Sequence, residues 1–410
     1  MMEPKIRFKG FEGEWKETKY SSFATIRRGL TYSPENIVSK GIRVLRSSNI
    51  DEDVFLRSEE DVFVHSSCIN IPFAKDGDIL ITAANGSPRL VGKHAVINKL
   101  NGDKVVPGGF MILASSKEPY FLNSCMGAPW YKTFLKTGVA GGNGAIGNLN
   151  KHALEEYEFY TPSNKLERDG LASYFTSLDS QISAVTSRLA SLKQMKAASL
   201  QAMFPQEGET VPKIRFKGFE GEWRTCPLYH FAKKRTEKNT KMLYNITLTN
   251  SAEFGIIDQR NFFDHEISNS ENINGYYVVR DHDFVYNPRI SSSAPVGPIN
   301  QNKLGYTGVM SPLYLVFEIN GINRDFLEIF FHTTLWHKYM FDNGNTGARF
   351  DRLAISDEDF MKMPIPDIDF GEQQAIASYF TSLDRQISLQ SQRLEKLKQI
   401  KSACLDKMFV

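Results

Sequence analysis

Two stretches of the chain place apolar residues at the spacing of a helix that buries a single seam. Leu178, Ile182, Val185, Leu189 and Leu192 step by four, three, four and three, and Leu383, Ile387, Gln390, Leu394 and Leu397 repeat those steps. A period near 3.5 predicts two coiled-coil-like helices, with Gln390 the one polar member of the second seam. Elsewhere the pattern is shorter. The runs Ile79–Thr82, Gly109–Leu113, Phe284–Tyr286 and Tyr314–Glu318 are rich in apolar and β-favouring residues and predict strands. Helical stretches are expected around Trp130 and Trp336, with Gly, Asn and Ser clusters as loops between them. The expected class is mixed α/β.

The chain is also written twice. Pro4-Lys-Ile-Arg-Phe-Lys-Gly-Phe-Glu-Gly-Glu-Trp15 recurs unchanged from Pro212 to Trp223, an offset of 208. Ala172–Phe204 and Ala377–Phe409 share 21 identities in 33 positions, which chance does not produce. Between these blocks the halves diverge, and only a faint frame survives. Lys75-Asp-Gly-Asp-Ile-Leu-Ile81 aligns with Arg280-Asp-His-Asp-Phe-Val-Tyr286, Pro107 with Pro312, and the tryptophans pair as Trp15 with Trp223 and Trp130 with Trp336. A repeat longer than 200 residues is a duplicated domain rather than a solenoid unit.

This predicts a first head over residues 1–165, a helical spacer over 166–207, a second head over 208–370 and a second spacer over 371–410. A 33-residue helix is roughly 50 Å long. If the two spacers pair along their length, they must run antiparallel, because each starts at its own head. The expected particle has pseudo-two-fold symmetry, with two unlike heads separated by two long antiparallel helices. Such a rod suits half-sites about one DNA turn apart, 34–36 Å.

Composition narrows the function. Charged residues make up 23% of the 410 and the formal net charge is +2, too mild to argue nucleic-acid binding, so any such surface must be local. No apolar run approaches the roughly 18 residues of a membrane span, and the N-terminus lacks a signal-peptide core. Cys68, Cys125, Cys226 and Cys404 form no metal or disulfide spacing, which fits the reducing cytoplasm.

Candidate DNA contacts fall at corresponding places in the two halves. Arg27 and Arg28 follow Phe23, as Lys233, Lys234 and Arg235, with Lys238 and Lys241 beyond, follow Phe231. These suit phosphate contacts. After the Ile79–Thr82 run stand Asn85, Ser87, Arg89 and Lys93, then His94. After Phe284–Tyr286 stand Asn287, Arg289, Ser291, Ser292 and Ser293. Arg forks match guanine edges and Asn amides match adenine edges. Arg43, Arg46 and Asn49 make a further group, as do Arg349 and Arg352. Each of these residues serves equally well as a loop or turn residue.

Gly142-Asn-Gly-Ala-Ile-Gly147 satisfies the dinucleotide fingerprint, but no buried strand precedes it and no helix is expected to open after it, so a loop is the better reading. No P-loop, metal spacing or catalytic constellation is present, and the chain is expected to hold no cofactor of its own.

Taken together, Arg7–Trp15 and its duplicate, Gly371-Glu-Gln-Gln-Ala-Ile-Ala-Ser-Tyr-Phe-Thr-Ser-Leu-Asp384, and Asp283-Phe-Val-Tyr-Asn-Pro288 followed by Met310-Ser-Pro-Leu-Tyr314 resemble the specificity subunits of type I restriction-modification systems. The resemblance covers essentially the whole chain. It departs where Glu167-Arg168 stands for Glu372-Gln373, which reads as drift at an exposed helix start. It implies that the heads are target recognition domains, each reading one half of a split, asymmetric DNA site. It further implies that the helices set the spacer and dock two modification subunits carrying S-adenosylmethionine, and that restriction subunits using ATP and Mg join them. The chain itself is expected to be non-catalytic. A coiled-coil adaptor with two protein-binding heads is the alternative.

Overall fold

The computed structural model describes residues 2–140, 147–261, 270–346 and 351–410. The chain divides into two compact units, Met1–Leu189 with Gln390–Val410, and Ala190–Leu389. The division cuts both long helices, Lys165–Ala202 and Phe370–Met408, near their middles. Each unit therefore owns one head, the first half of the helix that follows it and the second half of the other helix.

In the first unit the head is built on an antiparallel sheet ordered His94–Val96, Ile79–Thr82, Met111–Ser116, Ala24–Arg28. In the second, the order is Ile299–Gln301, Phe284–Tyr286, Leu315–Ile319, Ala232–Lys234. The same order in both heads gives the duplication a structural counterpart. Continuous apolar runs such as Ile-Leu-Ile arise because both sheet faces are covered. Ile79, Ile81, Ile112 and Ala114 face one core of the first unit, and Leu80, Leu113 and Met111 face another. In the second unit Phe284, Tyr286 and Phe317 face one core, and Val285 and Val316 the other.

Sheet register corrects one sequence alignment. Ile81 stands opposite Ile112 and Tyr286 opposite Leu315, so this strand is offset by 203 between the halves. Pro107 thus corresponds to Met310, and Pro312 to Gly109. The offset returns to 205 at the helices Pro119–Met126 and Arg324–Phe331, through two extra residues in the second head's preceding loop.

Each head enters and leaves through a two-stranded antiparallel clip. Lys16–Lys19 pairs with Glu158–Thr161 in the first unit, and Arg224–Pro227 with Pro364–Asp367 in the second. The invariant block preceding each clip locks onto the start of a long helix. Arg7 forks onto Glu167 at 2.7 and 2.8 Å, and Arg215 forks onto Glu372 at 2.7 and 2.7 Å. Glu167 and Glu372 are only 2% and 1% exposed, so this helix start is buried, contrary to the expectation of an exposed one. The neighbouring position is a joint too. Arg168 bonds Glu118 at the N-cap of one head helix, while Gln373 accepts from the backbone N–H of Asn323 at the N-cap of its counterpart. The Arg/Gln difference therefore serves two partners rather than reflecting drift.

The helix seam is buried as its spacing predicts. In the first unit Leu178, Ile182, Val185 and Leu394 are buried, with Leu189 and Leu397 packed against them. In the second, Leu192 and Leu383 are buried and Ile387 packs on the same core. Within both units the helix halves run antiparallel. Tyr174 meets Cys404 and Asp179 meets Lys401 in the first, and Tyr379 meets Ser199 and Asp384 meets Lys196 in the second.

Lys401 has an added role, holding Asp179 at 2.7 Å and Asp53 of a head turn at 2.8 Å. Burial pushes the Asp179 carboxyl up. Burial also opposes charge on Asp53, but His94 and Lys401 hold it below its ordinary value. Lys401→Met leaves two carboxylates facing each other without their cation. It is expected to lower stability by about 3 kcal/mol at neutral pH. In that variant burial acts on Asp179 without its cation, so its carboxyl binds a proton more readily folded than unfolded and stability should recover as pH falls below neutral, which denaturant unfolding at neutral and mildly acidic pH measures.

Candidate nucleic-acid interface

Several sequence candidates are structural struts. Arg27 donates to the carbonyls of Pro72 at 2.5 Å and Phe73 at 2.9 Å and lies 3.7 Å from Asp78. Register makes Arg235 its equivalent, and Arg235 forks onto Asp283 at 2.7 and 3.0 Å and reaches Glu318. Asp78 and Asp283 are the last acids of the two aligned Asp-x-Asp segments, and each also accepts the backbone N–H of the residue three before it. The shared pair thus ties an outer strand to the turn that opens the central one.

Arg43 is held by Asp61 and the Ser58 carbonyl, with its guanidinium 4.7 Å from the Phe63 ring centroid. Asn49 is 1% exposed, accepting from the Arg46 N–H and donating to Leu56 and Asp61. Lys234 pairs with Asp357, and the Asn287 amide bonds the Asn250 carbonyl and the Arg289 N–H. Arg27, Arg43, Asn49 and Arg235 are accordingly withdrawn as DNA contacts, because a guanidinium or amide already engaged inside the protein, as Arg43 is through Nη1 although its Nε has no partner, gains little by exchanging partners.

Others stay on the surface. Arg28, Arg46, Ser87, Arg89, Lys233, Lys238, Lys241, Arg289, Ser291 and Ser292 are exposed. Lys93 is half-buried, and Arg352 lies 3.9 Å from Asp351 in a bridge with Arg289. Arg349 lies outside the described residues, as does most of the glycine-rich Gly142–Gly147 segment. Its last residue, Gly147, pairs with Asn85.

In the first head the fold gathers Arg46, Ser47 and Asn85 in one cleft with Tyr32, Gly109 and Phe110. The Asn85 amide donates to the Ser47 hydroxyl at 3.2 Å and its carbonyl accepts the Ser87 N–H at 2.9 Å, which orients the loop. Gly108, which lines the cleft, packs its backbone directly on that of Gly29. A Cβ on Gly29 would sit 1.9 Å from the Gly108 carbonyl oxygen, so nothing larger permits this approach. The cleft combines an exposed cation, an amide and two aromatic rings, groups suited to base edges and phosphates. Sequence reasoning found Arg46 and Asn85 but missed Tyr32, which carried no signal, and Phe110, whose only signal was a large apolar residue directly after two glycines.

Among the described residues no His, Cys, Asp and Glu group is arranged to hold a metal ion, and no helix is long and apolar enough to cross a membrane. Neither protein-family models nor curated protein sequences gave a match to the chain. Solved structures did. The type I restriction-modification system S subunit from M. genitalium aligns over 100% of this chain and 99% of its own, at 12% identity and a TM-score of 0.59, and so shares the fold. A chain from a structure concerning complex assembly and conformational transition of the type I R-M system aligns over 96% of this chain and 97% of its own, at 16% identity and a TM-score of 0.47. The HsdS subunit from Thermoanaerobacter tengcongensis aligns over 96% of each chain, at 15% identity and a TM-score of 0.40.

Proposed function

We propose that this chain is the DNA sequence-specificity subunit of a type I restriction-modification complex, each head reading one half of a bipartite, asymmetric site. One observation carries the reading. The same sheet order is mounted twice on the same Arg–Glu fork, while the polar residues at the rims differ, as Arg46 and Asn85 do from Arg289 and Ser291. Fixed mounts with changed rims are what two readers of different sequences require. The fold shared with an S subunit supports it.

On this reading the chain performs no chemistry, and two modification subunits dock on the two repeated joints. The block Pro4–Trp15 and its copy keep the same side chains outward, including Ile6 at 47% and Ile214 at 59% exposure, which suits one partner bound twice. Those partners would supply S-adenosylmethionine and adenine methylation, and restriction subunits ATP-driven cleavage. The target adenine would have to leave the stack.

A reconstituted complex should methylate adenine only within one split sequence. Methylation at unrelated sites, or none in the presence of competent modification subunits, would favour the adaptor reading. The long helices give a further prediction. Four residues inserted after Leu189 add about 6 Å of helix, close to two base-pair steps of about 3.4 Å. Mapping of modified adenines should show unchanged half-sites and a spacer longer by one or two pairs. A changed half-site with an unchanged spacer would count against the helices as ruler.

A further inference from the structure

We infer that Phe110 and Leu313 are the apolar base readers of the two heads, each packing against a thymine methyl in its own half-site; the inference rests on the DNA-reading function proposed above. Register places both at one position, because Ile112 and Leu315 stand opposite Ile81 and Tyr286, and Phe110 and Leu313 each lie two residues earlier. Both are strongly exposed, at 66% and 58%.

The backbone that presents each is fixed. The Phe110 carbonyl accepts from the N–H groups of Ala83 at 2.8 Å and Ala84 at 3.0 Å. Leu313 follows Pro312 in a turn closed by the Tyr314 N–H on the Ser311 carbonyl at 3.1 Å. A fixed backbone leaves only the side chain to be ordered on binding.

The surroundings select the partner. Phe110 lines the same cleft as Arg46 and Asn85, whose donors match purine edges in the major groove. Exposed Arg289 follows the strand that pairs with Leu315. The apolar feature of that groove is the C5-methyl of thymine, which gives such a side chain sequence information that a phosphate contact lacks.

The test uses the full chain and its recognised duplex, with each thymine replaced in turn by deoxyuridine. At one position of the first half-site, loss of the methyl should weaken wild-type binding about fourfold, the worth of one buried methyl group. Phe110→Ala should bind the thymine and deoxyuridine duplexes equally at that position while keeping the wild-type thermal midpoint. Leu313→Ala should do the same in the second half-site only. The inference is overturned if wild type is indifferent to every deoxyuridine, or if Phe110→Ala keeps the methyl sensitivity. Failure of the wild-type chain to select any duplex from a random library would instead overturn the DNA-reading function on which it rests.

Discussion

Replacing residues 16–161 by the matching segment of another chain of this fold should change one half-site completely and leave the other unaltered. The segment begins and ends in a paired clip, Lys16 opposite Thr161, so an exchanged head re-forms its own base. Everything that mounts the head stays behind: Arg7 and Trp15 on one side, Glu167 and the long helix on the other. Because specific binding typically exceeds non-specific binding by at least about 10³-fold, affinity for the original duplex should fall by that order. A duplex carrying the new first half-site and the old second one should be bound instead. Selection from a random duplex library measures both. Loss of both half-sites together would mean that the heads do not read independently.

Arg215→Ala should be the most destabilising single change at either joint. It strands the Glu372 carboxylate, 1% exposed and accepting both prongs of the Arg215 fork. Removing one partner of such a buried pair costs about 3 to 5 kcal/mol, most of it the burial of an uncompensated charge. Arg215→Ala combined with Glu372→Leu should regain most of that loss, since no charge is then left buried. Denaturant unfolding of the single and double variants supplies the comparison. The equivalent Arg7→Ala should cost less, because the Trp15 indole N–H also donates to Glu167, at 3.3 Å, whereas the Trp223 N–H has no such partner. Equal losses at the two joints would show that the indole bond contributes nothing.

The readings that held share a local cause. Ile79–Thr82 and Phe284–Tyr286 are strands over the expected residues, because short apolar runs closed by turns specify a doubly covered strand. The adjacent strands begin two residues and one residue later than expected, at Met111 and Leu315. The glycines and Pro312 before them shape turns, and Phe110 and Leu313 face out despite their apolar character.

The candidate site was harder to read for a related reason. Arginine is suited equally to phosphate, guanine and carboxylate. Arg27 and Arg28 are neighbours in a strand, yet alternation turns one inward to the Pro72–Phe73 carbonyls and leaves the other in solvent. Nothing within a few residues of Arg43 or Arg235 announces Asp61 or Asp283, which the fold brings to them from 18 and 48 residues away.

By itself, then, the sequence determined the duplication with its unchanged blocks, the helix seam with its period near 3.5 and the two inner strands of each sheet, all of which depend on repetition or on spacing along the chain. Tertiary structure decided which charges became struts and which stayed at the rim. It also decided that Glu167 is buried and that Phe110 and Leu313 point outward from matching positions. Those outcomes depend on which distant backbone and side-chain groups are brought within hydrogen-bond reach, and no local pattern encodes that distance.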